Sequence, residues 1–225
     1  MSAWGPFLGL ALPLFLAIIP FNIVAFQWGL LHGNKTMPDE ISLKSQKMDR
    51  YAPWLRDGVL LLLVLSLRAW YSISPSQIGL RIDGWQSNLL LGILACSLQM
   101  GLQALVWRLL TSRGVHAEDE SLIRRSLVRV FFSVCVEQLW MAFCVATLRL
   151  TGHSASTSVA LTAAVFGVAH LQYRFGAFAT ALYGAVFACL FVWRGSLVPS
   201  FLMHLVGNTS AFFWARRAAR RVAQP

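Results

Sequence analysis

Apolar runs on the scale of a membrane crossing, separated by short segments rich in Lys and Arg, recur along this chain. That alternation restricts the fold more than any other feature. The runs are Phe7–Leu31, Gly58–Leu67, Ser87–Leu110, Leu127–Leu148, Thr157–Gln172, Phe175–Trp193 and Leu197–Trp214. A hydrocarbon core about 30 Å thick is crossed by about 20 apolar residues in a helix, which also satisfies its own backbone hydrogen bonds inside lipid. Gly58–Leu67 is short, but Ala69, Trp70 and Tyr71 extend it, with Arg68 able to snorkel to the surface. Only 12% of the 225 residues are charged, against about a quarter in soluble domains. The expected fold is therefore all-α: a polytopic integral membrane helical bundle of about seven transmembrane helices. An eighth is allowed in the polar stretch His32–Asp57. Residues 1–225 read as one transmembrane domain, with no repeat and no soluble module.

The net charge of +10 could point to nucleic acid, but the basic residues flank apolar runs instead of forming a stripe, so no nucleic-acid partner is expected. They set orientation. His32–Asp57, Thr111–Arg129, Arg174 and the tail carry fourteen Lys and Arg, whereas the alternate segments carry Arg81, Arg149 and Arg194. The positive-inside rule then puts the C-terminus in the cytoplasm and the N-terminus outside. Phe7–Leu31 reads as an uncleaved first helix, because it is longer than a signal-peptide core and no Lys or Arg precedes it. Cys96, Cys135, Cys144 and Cys189 all lie in apolar runs without CxxC spacing, which suits packing and not a zinc knuckle or a disulfide framework.

One ionisable residue interrupts the run Phe131–Ala146: Glu137. The other eight acidic residues lie in polar segments between or beside apolar runs. A carboxylate at bilayer depth costs about 2.5–3.5 kcal/mol on insertion scales and marks a functional site by default. Of five histidines only His170, in FGVAH, and His204, in HLVGN, fall inside spans. The i, i+4 spacing puts His204 and Asn208 on one helix face. Glu137, His170, His204 and Asn208 thus come from three spans, and converging on one interior cavity satisfies them most simply.

Such a set has the parts for peptide hydrolysis. A glutamate beside an imidazole can take a proton from water, and a second histidine with an amide can stabilise a carbonyl oxyanion. Zinc held by Glu137, His170 and His204 is the alternative, since two His and one Glu form a catalytic zinc set; the absence of HExxH spacing counts against it. Purely structural contacts between helices are the bland reading of the same residues.

The second half of the chain resembles the CPBP family (CAAX protease and bacteriocin-processing), the Rce1-type or type II CAAX prenyl endopeptidases. That family is marked by EExxxR, FxxxH and HxxxN or HxxxD on three spans. Here Glu137–Ala142 reads EQLWMA, Phe166–His170 reads FGVAH and His204–Asn208 reads HLVGN. RGSLVPSFLMH before His204 and SPSQIGLRIDGW at Ser74–Trp85 also look like family segments. The resemblance implies an intramembrane endopeptidase with a catalytic core at about residues 127–214. Glu137 would activate water, His170 would partner it, His204 and Asn208 would form the oxyanion site, and Gln138 and Phe166 would support them. No cofactor and no catalytic metal are implied. The substrate would be a membrane-associated, lipidated or C-terminally sorted protein. The basic loops and the lack of targeting signals fit a prokaryotic cytoplasmic membrane.

Two positions depart from the family motif. Its second glutamate is Gln138 and its arginine is Ala142. Those family residues would form a supporting ion pair, and losing both together leaves no unpaired buried charge. A non-catalytic membrane scaffold or chaperone that keeps the fold is therefore the runner-up. A proton-coupled transporter lacks the inverted repeat it would need. Depth is a further expectation: these boundaries put Glu137 near mid-membrane and His170 nearer the cytoplasm, so either the fifth helix continues past Gln172 or the site lies in the cytoplasmic half.

Overall fold

The computed structural model describes residues 39–111, 126–170 and 175–222. The expected first span, Phe7–Leu31, lies outside the described residues. The described residues form six α-helices in order: α1 (Asp39–Trp70), α2 (Trp85–Thr111), α3 (Leu127–Leu150), α4 (Ala155–Val168), α5 (Phe175–Arg194) and α6 (Val198–Val222). A short 3-10 helix, Pro75–Ile78, joins α1 to α2. The described residues contain no strand, so the all-helical expectation holds. Among the described residues three stretches are long and apolar enough to cross a membrane: Trp85–Leu105, Leu127–Leu150 and Ala177–Arg194. Ala155–Val168 is apolar but shorter.

Side chains of Leu90, Leu94, Leu98 and Leu102 on α2, and of Phe178, Leu182 and Val186 on α5, are exposed at helical spacing. Water would not tolerate such stripes on a stable monomer; lipid does. The inverse pattern marks α3. From Trp140 to Leu148 every residue is buried, and α3 packs against α1, α4, α5, α6 and the 3-10 helix. It is the central post of the bundle, and whatever it carries is walled in by its neighbours.

Local chemistry sets the helix ends. Ser126 accepts from the amide of Arg129 at 3.2 Å and starts α3; Ser154 accepts from Thr157 at 3.1 Å and starts α4, each capping a donor the first turn leaves open. Ser74 and Gln77 form a capping box on the 3-10 helix. That helix closes on Gly79 with φ of 78°, where a side chain would be strained and its Cβ would fall 2.8 Å from the amide of Leu197. The Gly79 carbonyl accepts from that amide at 3.2 Å. The SPSQIG turn therefore docks on the RGSLV turn that launches α6, although 118 positions separate Gly79 and Leu197 in the chain.

By sequence the polar stretch His32–Asp57 reads as a loop with room for an eighth helix. From Asp39 onward it is helical and runs without a break into the apolar run, giving α1 its 32 residues. Asp57 sits in that helix at 1% exposure. Glu137 is thus joined by a second carboxylate inside the bundle.

Candidate active site

Glu137 lies ten residues into α3, on the face turned toward α6 and α1. Its Oε2 is 3.5 Å from Nε2 of His204 on α6, and its Oε1 is 3.7 Å from Nη2 of Arg56 on α1. The side chain keeps 15% exposure, against 8% for His204. The next residue, Gln138, is buried and places Nε2 at 3.0 Å from Nδ1 of His204.

These contacts fix a tautomer. A carboxylate only accepts, so the His204 nitrogen facing Glu137 must carry the proton. In the neutral ring Nδ1 is then an acceptor, which requires the amide NH2 of Gln138 to face it. The separation of 3.5 Å between Nε2 and Oε2 is longer than a formed hydrogen bond. The Nε2–H can therefore serve an oxygen inserted beside it.

His170 follows the end of α4, and its Nδ1 lies 2.7 Å from the carbonyl oxygen of Phe166. A carbonyl cannot donate, so Nδ1 carries the hydrogen and Nε2 of the neutral ring is left as the basic nitrogen. The same bond explains where α4 stops. The His170 ring takes the carbonyl that its own amide would use in a continuing helix, and that amide turns to Gly167 at 3.0 Å. Counted from the Thr151–Ser154 turn, Glu137 on α3 and His170 beyond α4 both stand roughly 20 Å away at 1.5 Å per residue.

Phe166 separates the two imidazoles. Its ring centroid is 4.7 Å from that of His170 and 6.0 Å from that of His204, edge-on in the second case. Phe187 of α5 stacks on His204 at 4.8 Å and meets Phe166 edge-on at 6.5 Å, and Trp140 stacks on Phe166 at 6.3 Å. The packed rings restrict the rotation of His204.

Of the residues singled out in the sequence, Glu137, Gln138, Phe166, His170 and His204 form one contiguous cluster. Asn208 is one turn beyond His204 but exposed, and no hydrogen bond joins it to this cluster among the described residues. Arg56, Asp57, Ser133 and Phe187 were missed. Phe187 carries no signal beyond an apolar residue in an apolar helix. Arg56 and Asp57 could have been found by treating the polar stretch as helix, which extends the apolar face of α1 back past them. Among the described residues no three His, Cys, Asp or Glu side chains are grouped closely enough to hold a metal ion.

Fold and site together define a class: an all-helical membrane protein with a carboxylate and two imidazoles between its helices. Residues 119–210 match the model of the family described as type II CAAX prenyl endopeptidase Rce1-like, in agreement with the resemblance carried by the three motifs. The matched segment holds Glu137, Phe166, His170, His204 and Asn208. It supports a CAAX-type intramembrane endopeptidase, a hydrolase, in general terms. No curated protein and no solved structure matches the chain.

Proposed function

We propose that this chain is a glutamate-dependent intramembrane endopeptidase that cleaves a membrane-associated, lipidated or C-terminally sorted protein. The observation that carries the reading is the contact between Glu137 and Nε2 of His204 beside the most buried stretch of the bundle. In this scheme Glu137, with the basic Nε2 of His170, takes a proton from water as the water oxygen attacks the scissile carbonyl carbon. The carbonyl oxygen becomes an oxyanion and receives hydrogen bonds from Nε2–H of His204 and the amide of Asn208. Collapse of the tetrahedral species breaks the C–N bond, and the proton held by Glu137 passes to the leaving amine. The products are a carboxylic acid, which then ionises to its carboxylate by giving its proton to the amine or to solvent, and the amine; no step calls for a metal or a cofactor. Rotation of the exposed Asn208 toward a bound substrate completes the oxyanion site.

The accompanying topology is a single transmembrane unit of about seven helices over residues 1–225, with its catalytic core at 127–214 and its C-terminus in a prokaryotic cytoplasm. Cleavage of a membrane-anchored reporter by the purified protein, compared with Glu137→Gln, tests the activity. Equal cleavage by both proteins would end the assignment. The exposed Asn208 and the replacements at Gln138 and Ala142 favour the scaffold as second reading. It predicts that a cellular phenotype of the gene survives Glu137→Gln.

A further inference from the structure

Within α3 the motif's supporting pair is lost. Gln138 is neutral, and Ala142, at 0% exposure, has no side chain with which to reach anything. Yet a cation and a second carboxylate stand next to Glu137, delivered by a different helix. Asp57 accepts from Nε of Arg56 at 2.8 Å, meets Nη2 of Arg56 at 2.6 Å and accepts from Oγ of Ser133 at 2.6 Å. Arg56 Nη2 also lies 3.4 Å from Ser133 Oγ and 3.7 Å from Oε1 of Glu137. Ser133 and Glu137 are four residues apart on α3 and so share a face. The stacked rings of Trp54 and Phe132, 5.4 Å apart, hold the two helices together at this level.

We propose that the Arg56–Asp57 pair of α1 takes over the supporting role vacated at 138 and 142, with Arg56 as the positioning residue for Glu137. The inference rests on the reading of Glu137 as the base. The two oxygens of Glu137 then face different partners, Oε2 the imidazole of His204 and Oε1 the guanidinium of Arg56, and this fixes the plane of the carboxylate. Asp57 and Ser133 hold the guanidinium in turn. Asp57 also shares the cation, so Arg56 stands 3.7 Å from Glu137 without closing on it as a bidentate pair. A buried charge left without its partner is strongly destabilising, so the Arg56–Asp57 unit also accounts for a carboxylate with 1% exposure inside the bundle.

A contact that merely glued α1 to α3 would behave differently, and two measurements separate the cases. In the cleavage assay, Arg56→Gln should lower kcat about tenfold or more, as loss of alignment does, with KM within about twofold. Arg56→Lys, which keeps the charge, should recover most of the loss. Wild-type kcat in Arg56→Gln, or a rise in KM alone, would overturn the proposal. The second measurement needs no substrate. Thermal unfolding in detergent of Arg56→Gln, Glu137→Gln and the double variant forms a cycle. Coupled residues give a Tm shift in the double variant that differs from the sum of the singles; strict additivity would refute the coupling. A wild-type protein that cleaves nothing would sink the protease reading, while the unfolding cycle would still decide whether Arg56 acts on Glu137.

Discussion

Gln138 and His204 stand 66 positions apart in sequence and 3.0 Å apart in space. With Nε2–H of His204 turned toward Glu137, the amide NH2 of Gln138 donates to Nδ1 and holds the ring in that tautomer.

Gln138→Leu should remove that control. The buried Nδ1 of His204 would lose its partner, costing about 1–3 kcal/mol of stability, and kcat should fall by about 10²-fold with an oxyanion donor misdirected. Nitrogen NMR of His204 would show the protonated nitrogen no longer confined to Nε2. An unchanged tautomer in the variant would refute the role given to Gln138.

Replacing the base is the sharpest check on the chemistry. Glu137→Gln is nearly isosteric at a site that already holds an amide next door, so the protein should fold normally by circular dichroism. Cleavage should drop to background. Under the metal-free scheme a chelator series leaves the wild-type rate unchanged, and restoration of a chelated rate by zinc would contradict it.

Asn208 separates catalysis from stability. The side chain is exposed, so Asn208→Ala should alter Tm by no more than surface substitutions do, about 0.5 kcal/mol in stability. Loss of one oxyanion donor should nonetheless cost about 10²–10³ in kcat. A variant with full activity would leave His204 to stabilise the oxyanion without Asn208.

Gly184 offers a structural test away from any polar group. A Cβ there would lie 2.9 Å from Cδ1 and 3.1 Å from Cβ of Phe166, the ring that separates the two histidines. The Cβ of Phe166 cannot swing aside, so Gly184→Ala should destabilise by about 1–3 kcal/mol through overpacking. Activity should fall further than the loss of folded protein explains.

Helix positions were largely legible in the sequence. The spans Ser87–Leu110, Leu127–Leu148 and Phe175–Trp193 became Trp85–Thr111, Leu127–Leu150 and Phe175–Arg194, because apolar run and helix coincide where lipid sets the length. The exceptions have physical causes. The apolar run continues to Gln172 but α4 ends at Val168, where the His170 ring competes for a backbone carbonyl and no proline signals a stop. The polar start of α1 and the Arg-rich end of α6 are helical although they are not apolar. Lys, Gln, Glu, Ala and Arg are good helix formers, a property hydropathy does not register. The site followed the same division. Residues isolated in apolar runs stood out, whereas Arg56 and Asp57 were hidden by lying at the junction of polar and apolar sequence.

The place of Asp57 and Arg56 on one helix has a consequence for how the chain is made. A carboxylate that depended on α3 for its countercharge would remain unmatched while the later helices were still being synthesised. Here the bond between neighbours, 2.8 Å from Nε to Oδ1, is complete as soon as α1 exists, and chains emerge N-terminus first. α1 can form with its two charges already matched, and Ser133 and Glu137 meet a partner already in place when α3 arrives.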